Sequence, residues 1–566
     1  MGKMTGAQFL ADCLEGYGVT HVFLVPSILV HTLYQMEQRT QIKRIVTHGE
    51  KSAVYMADGY ARACGRPGVC MAQTVGAANL AAGLRDPYLA CVPILAFTGG
   101  PYPSTRNRMA YQQIEDFPLF KPLTKFSAHV DDVNRLPDLV RQAFRSATTG
   151  KPGPVHIEFE GHLGEVLETQ EADLEVIVEE RFASFPPFRP EPDAEAVKEA
   201  ARLLAEAKRP IIVAGGGVRA SGAASELVEL AEKLSLPVAT SLNAKDIIPG
   251  DHPLSVGVVG LYCRKSANRA VLESDMVFFV GSQTGSQVTF SWKIPPLGTP
   301  IIQLDIEPEE LGRHYPNRAS IQGDAKIGLR KLIEVADGES ASSRKAWVKR
   351  SQALVQEWRE EFSDLMNSDT EPMRPERLCR DLSDLLPSDT LLLSDTGHSG
   401  MWTGGMIDLK KPGQGFIRAA GSLGWGLPAS LGARCALPDR PILLFTGDGG
   451  LWYHLSEIET ALRWGLNVVI LVNDNHSLNQ GIGPNKQAYG GDLHGKHDDL
   501  WQFQDVNLAK VAESMGANGI RVKKPGELPG ALEKAFSSEK LTVIDVVTDI
   551  TAMAPLPFVY PTEDKK

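Results

Sequence analysis

Two polar residues in this chain are spaced for chemistry: Asp448 in Gly447-Asp448-Gly449-Gly450, and Asn475 in Asn473-Asp474-Asn475. The stretch from Pro441 to Gln480 reads as a strand over Ile442–Phe445, the glycine turn, a helix, and a second strand over Val468–Val472. In an open parallel sheet, ligands sit outside the carboxyl ends of the strands, so both side chains come out at one rim. A carboxylate and an amide oxygen converging there suit a hard cation such as Mg²⁺, which keeps sites for water and phosphate oxygens. Glycines at a helix start leave backbone N–H groups for a diphosphate. The stretch predicts a Mg²⁺-bridged diphosphate.

This ordered pair, with one βαβ unit between its members, resembles the cofactor motif of the thiamine diphosphate (ThDP) enzymes. That motif is GDG followed by a closing asparagine pair, written here NDN. The resemblance implies Asp448, Asn475 and the main-chain carbonyl of Ser477 as metal ligands, with Gly449 and Gly450 beside the diphosphate. It also implies a glutamate next to N1′ of the aminopyrimidine. Glu50 in THGEKSAVYMADGYAR fits, six residues before Met56 and the following Ala57-Asp58-Gly59-Tyr60-Ala61-Arg62. A carboxyl there favours the imino tautomer, whose nitrogen acts as base at the thiazolium carbon, and burial gives the raised pKa that this requires. Gly49 before it departs from the usual pattern.

Two further segments resemble the family. Ser394 to Trp402 matches the stretch that holds the diphosphate, with Thr396, Gly397, His398 and Ser399 as contacts. AAGSLGWGLPAS matches the segment in which Gly421 offers its carbonyl to the 4′-amino group and Leu423 wedges the cofactor into a bent shape. On the substrate side, Tyr111 to Asp116 with Lys125 resembles the F-Q-E and T-K segments of acetohydroxyacid synthases. That places Gln112 over the thiazolium from the partner subunit. The loop after Pro26 carries Ser27, Ile28 and Leu29 where many relatives have His, Asp or Ser, which predicts an apolar wall with few acid–base groups. His31 reads as structural.

These residues need a scaffold of alternating helices and strands. Residues 1–165 supply a helix at Gly6–Gly16, an amphipathic helix at Glu50–Arg62, and strands at Val22–Val25, Val69–Gln73, Pro93–Thr98 and Val155–Phe159. A proline-rich linker, 182–193, leads to a block at 194–335 with a helix at Ala194–Glu206, strands at Pro210–Ala214, Met276–Val280 and 301–307, and the turn Gly215-Gly216-Gly217. No GxGxxG is completed there, so helix–sheet packing explains those glycines better than a dinucleotide does. A polar, helix-prone connector, 337–372, precedes the last block, 373–550, with its helix at Arg374–Leu386 and strand at Thr390–Ser394. The expected fold class is α/β: three doubly wound parallel-sheet domains, for the pyrimidine, a central Rossmann-like unit and the diphosphate.

The central block departs most from acetohydroxyacid synthases. It lacks their G-M-H-G and R-F-D-D-R stretches, which puts FAD in doubt. Arg264-Lys265 beside a Rossmann-like sheet is a candidate for the ADP part of coenzyme A, as in relatives acting on acyl-CoAs, or else a solvated helix end.

At 566 residues, with 43% hydrophobic and 22% charged residues, the chain reads as a multidomain globular protein. A net charge of −11 argues against nucleic acid. The seven cysteines show no CxxC pair and suit a reducing compartment. No run of about 18 apolar residues is present to span a membrane, and the N-terminus lacks a signal-peptide pattern, so a cytoplasmic protein is expected. The resemblance implies a ThDP- and Mg²⁺-dependent carboligase or lyase, acetohydroxyacid (acetolactate) synthase-like. Such an enzyme decarboxylates a 2-oxo acid and passes an enamine to a second carbonyl compound such as an aldehyde. It would work as a homodimer or dimer of dimers, with Glu50 and Asp448 of one site on different chains. The alternatives are a 2-hydroxyacyl-CoA lyase or oxalyl-CoA decarboxylase type of enzyme and, more remotely, a retired homologue that only binds. From Asn475 to Asn507 the chain has five glycines and no apolar period beyond the site, which reads as a lid.

Overall fold

The computed structural model describes residues 3–105 and 107–559. Three six-stranded sheets, each wholly parallel, follow one another along the chain. The first holds β1 (His21–Leu24), β2 (Lys43–Val46), β3 (Gly68–Ala72), β4 (Ile94–Gly99), β5 (Phe126–Val130) and β6 (Val155–Phe159), in the order β2-β1-β3-β4-β6-β5. The second holds β7 (Pro210–Ala214), β8 (Val238–Thr240), β9 (Ser255–Val258), β10 (Met276–Val280), β11 (Ile301–Asp305) and β12 (Asn317–Gln322), in the order β9-β8-β7-β10-β11-β12. The third holds β13 (Leu391–Ser394), β14 (Gly415–Arg418), β15 (Ile442–Gly447), β16 (Val469–Asp474), β17 (Asn518–Val522) and β18 (Thr542–Val547). Its order, β14-β13-β15-β16-β18-β17, repeats that of the first sheet position for position.

The strands read as near-continuous apolar runs because both faces of each sheet are covered. Along β15, Ile442 and Leu444 enter one core while Leu443 and Phe445 enter another. Along β3, Cys70 and Ala72 face one core and Val69 and Met71 the other. One of these cores is continuous from the first sheet to the third and takes in Phe23, Cys70, Leu391, Leu444 and Ile470.

That shared core forms where two helices cross. α1 (Glu50–Cys64) follows β2, and α4 (Gly426–Ala436) follows β14, the equivalent strand of the third sheet. Between them in sequence lie α2 (Thr74–Leu89) and α3 (His398–Gly405). A Cβ on Gly59 would lie 2.0 Å from the Ala429 carbonyl oxygen, and a Cβ on Gly432 would lie 1.9 Å from that of Met56. The contact is reciprocal, backbone against backbone, and only glycine fits on either side.

Element ends fall within a residue or two of the sequence reading. Two segments go beyond that reading. The connector is one 22-residue helix, Lys345–Met366, with Trp347, Leu354, Trp358 and Phe362 buried at helical spacing. The segment after Asn475 is not structureless: Ile482–Ala488 is helical, with none of its residues buried, and His497–Leu500 forms a tight turn. A short exposed helix has no apolar stripe to show in the sequence. No helix among the described residues is long and apolar enough to cross a membrane.

Gly432→Ala should lower stability by roughly 1–3 kcal/mol, because the added methyl forces the helices apart. Gly526→Ala, where a Cβ meets nothing within 4 Å, is the control. Thermal unfolding followed by circular dichroism checks this; equal midpoints for the two variants would refute the crossing constraint.

Candidate active site

Register places the first pair of residues. Gly447 of β15 pairs with Asn473 of β16, so Asp448 and Asn475 emerge side by side just beyond those strand ends. Asp448 opens a short helix, Asp448–Trp452, and is buried. Burial pushes its carboxyl up to about 7, against the pull of backbone N–H groups at Gly449, Asp448 itself and Ser477. Ser477 Oγ donates to Asn475 Oδ1 at 2.9 Å. Just before Asn475, Asn473 Oδ1 and Asp474 Oδ2 are buried with no hydrogen-bond partner among the described residues.

Asp395, which the sequence reading passed over, ties the surrounding turns together. Its carboxylate accepts from the N–H groups of Thr396 (2.7 Å), Gly424 (3.1 Å) and Gly426 (3.2 Å), and from Thr446 Oγ1 (3.3 Å). A Cβ on Gly450 would press 3.1 Å from the same group. Burial raises this carboxyl to about 6.

α3 begins at this rim. Gly397 precedes it at φ +67°, a glycine conformation, and a Cβ there would meet Gln480 Oε1 at 2.8 Å. His398 Nδ1 is buried with no hydrogen-bond partner among the described residues, and burial lowers the ring's pKa. Ser399 is buried, its Oγ 3.7 Å from where a Gly447 Cβ would stand. Just before Gly424, Gly421 is exposed at φ +152°, and Leu423 is half-buried.

The far end of α3 corrects one expectation. Arg264 is buried, not exposed. Its Nε donates to the Gly405 carbonyl at 3.0 Å, its Nη2 bonds Asp408 Oδ1 at 2.8 Å, and its guanidinium lies 4.0 Å from the Trp358 ring centroid. Lys245 Nζ donates to Gly404 at 3.1 Å, and burial lowers that amine to about 7. Lys265 pairs with Glu361. Arg264 spends its Nε and Nη2 donors on Gly405 and Asp408 and lies buried, so it is not the exposed cation that a grip on the ADP part of coenzyme A calls for. The central sheet does have a cleft of about 430 Å³ at its strand ends, lined by Gly215, Gly217, Gln283 and Asp305 with Tyr262 and Arg418, but not by Arg264 or Lys265. The glycine turn there has a packing reason: a Cβ on Gly215 would lie 2.1 Å from the Gly281 carbonyl oxygen.

On the first sheet, Glu50 starts α1 and is half-buried. Asn79 Nδ2 donates to its Oε2 at 3.2 Å, and a Cβ on Gly76 would crowd its Oε1 at 2.5 Å. Gln112 sits at φ +60° on an exposed loop between Tyr111 and Ile114, themselves exposed. The expected apolar wall is absent: Ile28 and Leu29 are fully buried in the first domain's core, and only Ser27 of that trio faces out. Two left-handed residues, Ser27 and Leu29, turn the loop so that its apolar side chains point inward.

Comparison with known proteins bears on this geometry. Models of the thiamine pyrophosphate enzyme N-terminal, central and C-terminal domains match residues 4–119, 197–332 and 395–546. A probable acetolactate synthase large subunit of Methanocaldococcus jannaschii is 32% identical over 98% of this chain and 93% of its own. The chain belongs to the thiamine pyrophosphate enzyme family. Within that family it is acetolactate synthase-like: the Escherichia coli acetolactate synthase isozyme 1 large subunit is 31% identical over 84% of this chain and 82% of its own. A putative thiamine pyrophosphate-containing protein of Bacillus subtilis, YdaP, is 29% identical over 98% and 93%.

The donors at the rim fit the family's cofactor. Among the described residues no group of three or more His, Cys, Asp or Glu side chains could hold a metal. A site with one carboxylate, one amide and a carbonyl leaves a hard cation short of ligands, which phosphate oxygens and water complete. His398 Nδ1, buried and without a partner among the described residues, stands at the start of α3, where an anion is favoured.

Asp448→Ala removes the carboxylate from this donor set. ThDP affinity in the presence of Mg²⁺ should fall by at least about a hundredfold, as when a metal site loses a key group. Calorimetric titration of the folded variant measures this, and near-native affinity would exclude the role.

Proposed function

We propose that this chain is a ThDP- and Mg²⁺-dependent enzyme that joins two small carbonyl compounds, decarboxylating a 2-oxo acid donor. The observation carrying this reading is the Gly447–Asn473 register, which brings Asp448 and Asn475 to one rim beside the turns gathered by Asp395. When bound, the cofactor supplies a nucleophilic thiazolium carbon and an electron sink. Asp448, Asn475 and the Ser477 carbonyl hold Mg²⁺. Thr396, Gly397, His398, Ser399, Gly449 and Gly450 surround the diphosphate. The Gly421 carbonyl accepts from the 4′-amino group, and Leu423 props the pyrimidine toward the thiazolium. Glu50 shares a proton with the ring nitrogen, steadied by Asn79. Gln112 offers a neutral amide to a substrate oxygen. The segment after Ser477 excludes water; its ends are zipped by Leu478 N–H to the Trp501 carbonyl at 2.7 Å and Phe503 N–H to that of His476 at 2.7 Å.

All seven cysteines are unpaired, which supports a cytoplasmic setting. The central cleft lies where α/β sheets take nucleotides and supports an adenine-nucleotide group there, from FAD or an acyl-CoA. That cleft keeps the 2-hydroxyacyl-CoA lyase or oxalyl-CoA decarboxylase reading alive as second choice. Glu50, Asp448 and Asn475 are all in place, against a retired homologue.

Glu50→Gln should keep ThDP bound yet slow proton exchange at the thiazolium carbon by about 10²-fold or more. Acid-quenched NMR in D₂O reads the rate, and an unchanged rate would sink the assignment. The active unit we propose is a homodimer, or a dimer of dimers, in which Glu50 serves the cofactor held by the partner. Co-expressing Glu50→Ala and Asp448→Ala chains should then restore activity, since one site of each mixed dimer carries neither lesion. Inactive mixed dimers would show that each chain builds its own site.

A further inference from the structure

The segment from Arg418 to Trp425 is held from outside its own domain. Asp86, near the end of α2, is fully buried. Its Oδ1 accepts the Ala420 N–H at 2.8 Å and Arg62 Nη2 at 3.1 Å; its Oδ2 accepts the Ala420 N–H at 3.0 Å and the Ser422 N–H at 3.0 Å. The two backbone donors are the residues on either side of Gly421. Arg62 also donates to the Arg418 carbonyl at 2.6 Å and grips Asp58 through two bonds of 2.7 and 2.6 Å. Asp58 in turn accepts the Trp425 indole N–H at 2.7 Å, and the Arg62 guanidinium lies 4.8 Å from that ring's centroid. Two carboxylates and one guanidinium from the first domain thus fix four points of a loop in the third.

We propose that Asp86 is a positioning residue that sets the direction of the Gly421 carbonyl. Gly421 has no side chain, and a Cβ there would touch nothing within 4 Å, so packing does not orient it. Its exposed peptide at φ +152° is free to turn unless its neighbours are held. A buried carboxylate accepting from both neighbours leaves the intervening carbonyl one orientation, because releasing either N–H strands a buried charge. Holding a group to within a fraction of an ångström is what a proton transfer at the cofactor demands. This inference rests on the reading that Gly421 faces the 4′-amino group.

The test has one arm without cofactor and one with it. In the cofactor-free protein, the amides of Ala420 and Ser422 should exchange with D₂O about 10²-fold or more slowly than those of exposed Gly490 and Gly491. Asp86→Asn should erase most of that protection. In the loaded protein, Asp86→Asn should slow exchange at the thiazolium carbon by about tenfold or more, with ThDP affinity kept within about threefold. The near-UV circular dichroism of the aminopyrimidine should shift with it. Ala420→Pro deletes one donor while sparing the Asp86–Arg62 pair, and decides the matter if Asp86→Asn does not fold; it should show the same split. Fast exchange at Ala420 and Ser422 in the parent, or unchanged thiazolium exchange in the variant that folds, overturns the proposal. Glu50→Gln run alongside separates the two failures: if that variant too leaves thiazolium exchange unchanged, the reading of the site itself has failed.

Discussion

The crossing of α1 and α4 governs the rest of the molecule. Two backbones in contact leave no slack: the glycines at 59 and 432 bring peptide oxygens to within 2.0 and 1.9 Å of positions any side chain would occupy. Because α1 starts at Glu50 and α4 follows the loop of Gly421 and Leu423, the approach of these helices fixes how the first domain meets that loop. The buried cluster of Asp58, Arg62 and Asp86 lies beside the crossing and could not tolerate a looser one. A charge group of that kind is costly unless every oxygen and N–H is matched, and here the match requires donors from both domains. Packing and electrostatics therefore select the same relative placement.

The diphosphate domain carries the opposite kind of burial. Asp448 and Asp545 are pushed up to about 7 and Asp395 and Asp474 to about 6, each first by loss of water. Arg521 reaches Asp545 at 3.3 Å but not Asp448. Carboxylates left short of cations are costly to keep ionised, and the Mg²⁺ proposed above would relieve that cost at Asp448.

Much of this was legible in the sequence because it is local. Asp448 and Asn475 are separated by a single βαβ unit, and apolar runs bounded by glycine located the strands within a residue or two. Most of the misses depend on tertiary contacts or on backbone conformation. Arg264 read as a candidate for an ADP group or as a solvated helix end, and only the fold brings Asp408 and Trp358 to it. Ile28 and Leu29 looked like pocket lining because nothing local reveals that Ser27 and Leu29 adopt left-handed backbones. Asp86 and Asp395 carried no motif of their own, yet each gathers backbone N–H groups from a distant loop. Backbone donors leave no trace in residue type, so no sequence pattern could have announced them.

The reciprocity of the helix contact has a consequence for ancestry. Gly59 meets the carbonyl of Ala429, which is three residues before Gly432; Gly432 meets that of Met56, which is three residues before Gly59. The helices follow equivalent strands of sheets with the same strand order. An isologous contact between like elements is the signature of a twofold dimer, here joined into one polypeptide. Duplication of a single α/β unit that once paired with its own copy accounts for both facts. The Asp58–Arg62–Trp425 group then marks where the halves stopped being interchangeable and divided the labour between them.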